Sequence, residues 1–259
     1  MSAIVTQVGN LTLRELRAAL RQPFYIAVTL VQPMIWLLLF GQLFKSVVHL
    51  PGFSGGGSYV EFLTPGVVIM TALFASGWSG MGFIQDMDRG VMDRLLVSPT
   101  SRGSMMAGKL ANTAVTTVVQ TLIVLLVAFA LGARFHGGAL GVVVTVAAAI
   151  LLAVSIGSLS NALALLVRRE ETLIGVAQFL NLPLMFLSSA IMAEQAAPAW
   201  MRHVMAYNPV NWAVSASRAA LGAHTDWSGV LFHGGLLLAV AVVMASLATL
   251  AFRSYQRSV

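Results

Sequence analysis

Residues 135–167 read FHGGALGVVVTVAAAILLAVSIGSLSNALALLV, a run of 33 residues without a charged side chain. A helix needs roughly 20 apolar residues to cross the hydrocarbon core of a lipid bilayer. The run is therefore long enough for one membrane-spanning helix but too short for two spans joined by a turn. This stretch predicts a membrane protein built from α-helices.

The rest of the chain repeats this pattern, with six charge-free runs of at least 22 residues in all. A membrane β-barrel would instead show segments of about 10 residues with alternating polarity. Stretches such as Val124–Leu131 and Leu236–Ala245 are apolar on every side, which indicates helices. We therefore expect an all-α polytopic membrane protein, one domain over residues 1–259, with six transmembrane helices at about 24–44, 62–84, 106–131, 140–167, 173–191 and 230–252.

The composition supports the same class. Of 259 residues, 15 are Lys or Arg and 9 are Asp or Glu, so that 9% are charged, against about 25% in an ordinary soluble domain. The hydrophobic share is 58%, more than a soluble fold of this length can bury. Disordered chains are polar and rich in charge, which excludes disorder. We interpret the net charge of +6 as a sign of how the chain is oriented in the membrane, and we expect no nucleic-acid partner.

The basic residues predict the orientation, because Lys and Arg gather on the cytoplasmic side of membrane proteins. With six spans both termini lie on one side. We expect that side to be the cytoplasm, and residues 24–44 to be an uncleaved first span. The side of the membrane with both termini holds eleven of the 15 basic residues: Arg14, Arg17, Arg21, Arg89, Arg94, Arg102, Lys109, Arg168, Arg169, Arg253 and Arg257.

Two segments outside the spans have amphipathic character. Residues 11–21, LTLRELRAALR, place leucines on one helical stripe and arginines on the next, which predicts an N-terminal interfacial helix within residues 1–23. Residues 192–229 are moderately apolar and are interrupted at Asn208-Pro209. They predict two outer re-entrant helices, because backbone at membrane depth is tolerated where protein buries it.

We expect neither a catalytic site nor a metal site. The central parts of the spans contain no ionisable residue, which an ion-coupled carrier would need, and no two of the five His stand three or four residues apart. Residues 103–109 begin like a phosphate-binding loop, but Leu110 occupies the position of the Mg²⁺-binding Ser or Thr. No cofactor is therefore expected on this chain. Helix–helix hydrogen bonds are the expected role of Ser155, Ser158 and Ser160.

The predicted inner loop at 85–105 carries a concentration of charge. Residues 86–104 read DMDRGVMDRLLVSPTSRGS. As a helix over 86–98 ended by Pro99, this segment would have one apolar half and one charged half. Such a helix favours docking into a groove on a soluble cytoplasmic partner. A solvated loop is the alternative.

The run Asp88–Pro99, followed by Arg102 and Gly108-Lys109, resembles the inner loop of ABC type-2 exporter permeases. The matching residues are Asp88-Arg89-Gly90, an acidic residue three positions on (Asp93), and then Leu95-Leu96-Val97-Ser98-Pro99. The resemblance covers nearly the whole chain and is greatest to the daunorubicin-resistance type. One departure is Met192-Ala193, where relatives often have a proline. Further matching positions are Asn181-Leu182-Pro183, Phe186-Leu187-Ser188, Asn208-Pro209 and Arg218.

The resemblance implies partners that carry the energy-coupling chemistry. Two copies of the permease would pair, as a homodimer, in the bacterial cytoplasmic membrane. Two cytoplasmic ATPase subunits would bind ATP and Mg²⁺ below them. The residues expected to couple this chain to the ATPases are Asp88, Arg89, Gly90, Asp93, Arg94, Leu95, Leu96, Ser98 and Pro99 of the loop, with Arg14 and Arg17 of the N-terminal helix.

The resemblance also implies a pathway between the two copies, along spans one, two and five. Faces that mix aromatic, Met and weakly polar side chains can accept a bulky amphipathic molecule. Ordinary span packing or a dimer seam is the alternative for each residue. The candidate pathway residues are Gln32, Trp36, Phe74, Trp78, Met81, Gln178, Asn181, Met185 and Ser188, and the candidates for an outer gate are Trp200, Tyr207, Asn208, Pro209 and Trp212.

These residues predict the membrane subunit of an ATP-driven exporter, with a hydrophobic drug as the expected substrate. A lipid-linked glycan or a lipid is the alternative substrate. An ATP-independent membrane enzyme or scaffold is the alternative from another class, and the absence of ionisable residues at the centres of the spans weighs against it.

Overall fold

The computed structural model describes residues 30–44, 58–92, 102–222 and 225–257. These ranges form helices joined by turns and contain no β-strand, which confirms the predicted all-α class. A 3₁₀ turn lies at Glu194–Ala196. We number the helices α1 (Leu30–Leu43), α2 (Tyr59–Gly77), α3 (Met81–Asp88), α4 (Arg102–Ala130), α5 (Gly138–Val167), α6 (Glu170–Phe186), α7 (Ala199–Met205), α8 (Pro209–Leu221) and α9 (Trp227–Arg257).

Four helical stretches in the described residues are long and apolar enough to cross a membrane. They are Tyr59–Asp88, which joins α2 and α3, and the apolar parts of α4, α5 and α9. They match the predicted second, third, fourth and sixth spans. Helix α1 is a shorter apolar helix within the predicted first span, and α6 has 17 residues. The count of six spans therefore stays a prediction, and the N-terminal interfacial helix lies outside the described residues.

Helix α5 is the centre of the bundle, where it packs against α2, α4, α8 and α9. Its composition is apolar all round, as expected for a helix that other helices surround. One hydrophobic cluster lies around α2 and includes Leu63, Leu73 and Leu152. A second cluster joins Phe83 of α3 to Phe252 of α9 and to the adjoining ends of α4, α5 and α6. We call this end of the bundle the α3 end, and the opposite end the α8 end.

A break between α2 and α3, at residues 78–80, divides the predicted second span. The Ser160 hydroxyl of α5 donates a hydrogen bond to the Gly77 carbonyl (2.6 Å) and accepts one from the Gly80 N–H (3.1 Å). A side chain that inserts into the backbone ladder in this way interrupts a helix. Gly80 is required there, because a Cβ atom on it would lie 2.4 Å from the Ser160 carbonyl oxygen. The break is therefore held by a residue from another helix.

This contact confirms the predicted interhelical role of Ser160 but not that of Ser155, whose hydroxyl donates to Leu151 within α5 (2.7 Å). Ser160→Ala should destabilise the fold by about 2 kcal/mol, because it leaves a buried N–H and a buried carbonyl without partners. Ser155→Ala, the matched control, should cost less than about 0.5 kcal/mol, since the Leu151 carbonyl keeps its helical bond. Thermal unfolding in detergent measures both, and equal losses would contradict the assignment.

The predicted continuous helix over 86–98 is wrong in the part that the structure describes. Helix α3 ends at Asp88, and Gly90 has φ = +64°, a left-handed conformation that glycine adopts easily. Helical geometry resumes at Val91 and Met92, and Met92 is buried in the α3-end cluster. The chain from Asp93 to Thr100 lies outside the described residues.

The predicted fifth span, 173–191, also differs, because α6 ends at Phe186. The side-chain amide of Asn208 donates to the Leu184 and Leu187 carbonyls (2.7 and 2.6 Å), at the point where the helix stops. Residues 187–193 then cross the start of α2. The following chain forms two short helices, α7 and α8, that meet near Asn208-Pro209, as the sequence predicted. Their depth in the membrane stays a prediction.

Candidate functional site

A cleft lies between α1, α2 and α4, with a volume of about 100 Å³. Its lining includes side chains spaced three or four residues apart on α2, which therefore share one face of that helix. Helix α4 contributes a single glutamine. The lining residues are Gln32, Pro33 and Trp36 of α1, Val67, Met70, Thr71, Phe74, Ala75 and Trp78 of α2 and its end, and Gln120 of α4.

The chemistry of this cleft is aromatic and neutral. Three large rings, Trp36, Phe74 and Trp78, face it, and none of the described lining residues is charged. The Thr71 hydroxyl donates to the Val67 carbonyl within α2 (2.8 Å), and the other polar side chains of the lining are Gln32 and Gln120. Pockets that enclose a drug-sized ligand have volumes of about 300–1,000 Å³, so the cleft within one chain can hold only part of such a molecule.

The local structure of α1 explains how its tryptophan reaches the cleft. Residues Trp36–Phe40 form a π-helical turn, a feature often found at functional sites. The Trp36 and Phe40 rings stack with centroids 4.6 Å apart. The series continues through Phe44 to Tyr59, at the start of α2. Aromatic contacts thus tie α1 to α2 and position one wall of the cleft.

Four of the predicted pathway residues meet in this cleft: Gln32, Trp36, Phe74 and Trp78. Met81 does not, because it follows the break and packs against the α3-end cluster. Sequence reasoning missed Thr71 and Gln120. The helical spacing from Phe74 could have indicated Thr71, and Gln120 is the one Gln in the charge-free run 110–133.

The predicted stripe on span five is not a single open face. Gln178 is exposed, whereas Asn181, Met185 and Ser188 are buried within the chain. Asn181 packs against α2, where a Cβ atom on Gly77 would lie 2.4 Å from its amide nitrogen. Ser188 lies beyond the end of α6. The three buried residues of the predicted stripe therefore make contacts within their own chain.

The predicted outer gate divides into buried and exposed residues. Asn208 is 4% exposed, and Pro209 occupies the first turn of α8, where its missing N–H costs nothing. The indole N–H of Trp212 donates to the Ala206 carbonyl (2.7 Å). Trp200 and Tyr207 are 65% and 71% exposed, the pattern of amphipathic aromatic residues at a membrane surface.

A partly buried arginine, Arg218, packs at the end of the bundle formed by α8. The guanidinium of Arg218 on α8 donates to the Ser189 carbonyl (3.0 Å) and to the Phe62 carbonyl (3.4 Å). Its central carbon lies 4.1 Å from the centroid of the Phe62 ring. Backbone carbonyls and an aromatic face are good partners for a cation that is shielded from water. Arg218 therefore joins α2, α8 and the 187–193 segment.

The predicted coupling residues are only partly described. Asp88 and Arg89 are exposed, as docking would require, and Gly90 makes the turn that follows α3. The others lie outside the described residues: Arg14, Arg17, Asp93, Arg94, Leu95, Leu96, Ser98 and Pro99.

An ion pair that the sequence did not reveal lies next to this loop. The Nζ atom of Lys109 on α4 is 2.8 Å from a carboxylate oxygen of Asp86 on α3, and both side chains are less than a fifth exposed. Lys109 also lies 5.4 Å from the Phe83 ring centroid. The lysine of the phosphate-loop-like stretch thus stabilises the start of α4 against α3.

The described residues thus form a helical bundle with membrane-length helices and a neutral aromatic cleft. The chain matches the family model described as ABC-2 type transporter over residues 6–221. Because this match covers most of its length, the chain belongs to the ABC-2 type transporter family. Membership implies that it works as a membrane-spanning permease subunit together with ABC ATPase subunits.

Individual relatives agree with this assignment. A putative transport permease of Cyanophora paradoxa is 31% identical over 80% of this chain and 71% of its own length. A daunorubicin resistance ABC transporter permease protein of Streptomyces coeruleorubidus is 27% identical over 94% of this chain and 83% of its own. A probable doxorubicin resistance ABC transporter permease protein of Mycobacterium tuberculosis is 22% identical over 75% and 70%.

Proposed function

We propose that this chain is the permease of an ATP-driven exporter that moves hydrophobic or amphipathic compounds out of the cytoplasm or the inner leaflet. Separate ATPase subunits bind and hydrolyse ATP. Two copies of the permease pair in the bacterial cytoplasmic membrane, with both termini in the cytoplasm. Family membership supports the mode of action, and the distribution of basic residues supports the orientation.

The neutral cleft between α1, α2 and α4 is the observation that carries the substrate class. Aromatic rings bind flat apolar molecules by stacking and by area burial, and glutamine amides accept or donate hydrogen bonds without demanding a charge. A lipid-linked glycan carries phosphate groups, which proteins bind with Arg, Lys or backbone N–H groups. No Arg or Lys is among the described residues that line the cleft, which favours the hydrophobic compound over the glycan.

The relatives' names support the same class, since two of them are named for resistance to daunorubicin or doxorubicin. Daunorubicin is an amphipathic, fluorescent compound with a flat aromatic ring system and an amino sugar, and is therefore a suitable probe. The assay is ATP-dependent uptake of daunorubicin into inside-out vesicles that contain the permease and its ATPase. Uptake of a lipid-linked glycan in place of the drug would favour the alternative substrate. Uptake that needs no ATPase would contradict the proposal.

Removing an aromatic wall of the cleft should weaken drug transport. Trp36→Ala and Trp78→Ala should each raise the half-saturating daunorubicin concentration about tenfold, equivalent to about 1.4 kcal/mol of lost contact. Trp227→Ala is the control, because that tryptophan is 45% exposed at the start of α9, away from the cleft. Unchanged saturation in both cleft variants, at equal amounts of assembled complex, would exclude the cleft as the binding site.

A further inference from the structure

Helix α3 is a short segment between two breaks in the chain. At one end, Ser160 of α5 holds the break at 78–80, and Trp78 at that break faces the cleft. At the other end, the backbone turns at Gly90, immediately after the exposed Asp88 and Arg89. The eight residues of α3 therefore connect the cleft directly to the charged loop.

The Asp86–Lys109 pair is a contact between α3 and α4 next to the charged loop. Asp86 lies two residues before the end of α3, and Lys109 lies in the first turns of α4. With exposed fractions of 18% and 11%, the two side chains are shielded enough for their attraction to exceed that of a surface pair. This contact joins the loop end of α3 to α4, whereas the Ser160 contact joins its cleft end to α5.

The packing around Lys109 is shaped to keep the ammonium group in this place. A Cβ atom on Gly82 would approach Nζ to 2.9 Å, so glycine leaves the space that the lysine fills. The Phe83 ring lies under the ammonium group and contacts Phe252 of α9, with ring centroids 6.1 Å apart. The lysine is thus held on α3 by a carboxylate and an aromatic face, and α3 is held on the bundle by Phe83.

We infer that Lys109 is a positioning residue for energy coupling: through Asp86 it locks α3 to α4, so that movement of the charged loop reaches Trp78 and the cleft. Without the lock, the loop end of α3 loses its charged connection to α4, and less of the movement of the loop reaches the cleft. The inference rests on the proposed function, because it concerns how ATP hydrolysis at the loop drives transport at the cleft.

The experiment measures daunorubicin transported per ATP hydrolysed by the complete permease–ATPase complex in proteoliposomes. Lys109→Met and Asp86→Asn should each keep the ATPase bound and hydrolysing ATP, while transport per ATP falls about tenfold, within the usual range of coupling between sites. Lys109→Arg, and the exchanged pair Asp86→Lys with Lys109→Asp, should keep most of the daunorubicin transport per ATP of the unmodified complex. Arg169→Met, which removes an exposed positive charge near the same end of the bundle, should leave it unchanged.

A second measurement reports on α3 without transport. The chain has no Cys, so Gln85→Cys on the exposed side of α3 provides a single attachment site for a spin label. Its motion should increase in the Lys109→Met variant and return to the original value in the exchanged pair. An unchanged ratio or an unchanged spin-label spectrum in Lys109→Met would overturn the inference. Failure of the unmodified complex to transport daunorubicin would instead count against the proposed function.

Discussion

Gly66→Ala should prevent this chain from reaching its stable fold. A Cβ atom on Gly66 would lie 1.9 Å from the carbonyl oxygen of Ala190 and 2.7 Å from its carbonyl carbon. Both obstructing atoms belong to the backbone, so no rotamer change relieves the overlap, and α2 must separate from the 187–193 segment. We expect a loss of about 3 kcal/mol or more, at the upper end for overpacked sites.

The loss should extend to function, because α2 carries most of the lining of the cleft. The measurement is the yield and thermal stability of the monodisperse protein in detergent. Gly175→Ala on α6 is the matched control: nothing lies within 4 Å of its added Cβ, and alanine is the better helix former. We expect Gly175→Ala to be neutral or slightly stabilising. A stable Gly66→Ala protein would mean that α2 and the 187–193 segment do not pack this closely.

Asn208→Ala should also be strongly damaging. The Asn208 side chain accepts a hydrogen bond from the Val210 N–H (2.9 Å), which caps α8, and donates to the Leu184 and Leu187 carbonyls. Alanine removes all three bonds at a site that is 4% exposed. With about 1 kcal/mol for each lost bond, we expect about 3 kcal/mol of destabilisation. The end of α6 and the start of α8 should then separate first.

Asn208→Asp separates the two roles of this side chain. Aspartate caps helices as well as asparagine does, so a residue that acted only as a cap would tolerate the change. Here the carboxylate loses both donors and faces two carbonyl oxygens, so we expect it to destabilise at least as much as alanine. Thermal unfolding of both variants, with the exposed Tyr207→Ala as control, checks this. If Asn208→Asp left the stability unchanged, Asn208 would act only as a helix cap.

Much of the architecture could be predicted from composition and helical spacing. The charge-free run at 135–167 corresponds to α5, Gly138–Val167, with a difference of three residues at its start. The break at Asn208-Pro209 separates two short helices as predicted. These features follow from local properties, such as the length of apolar runs and the preference of proline for the first turn of a helix. A family motif in the loop likewise predicted the ABC-2 class.

Only part of the candidate site could be predicted from the sequence. Helical spacing selected Phe74 and Trp78, and both line the cleft. The same reasoning placed Asn181 and Met185 on a pathway, although they are buried against other parts of the chain. Spacing shows which side chains share a face of a helix, but which neighbour that face meets depends on how the helices pack.

The sequence by itself determined that this is a helical membrane protein, and it determined the family. These properties follow from hydrophobicity and local motifs. Only the tertiary structure decided where α2 breaks, since the hydroxyl that interrupts its ladder comes from Ser160, some 80 positions further along the chain. It also decided that Lys109 pairs with Asp86. Contacts between residues far apart in sequence leave no periodic pattern, and these contacts shape both the cleft and its connection to the loop.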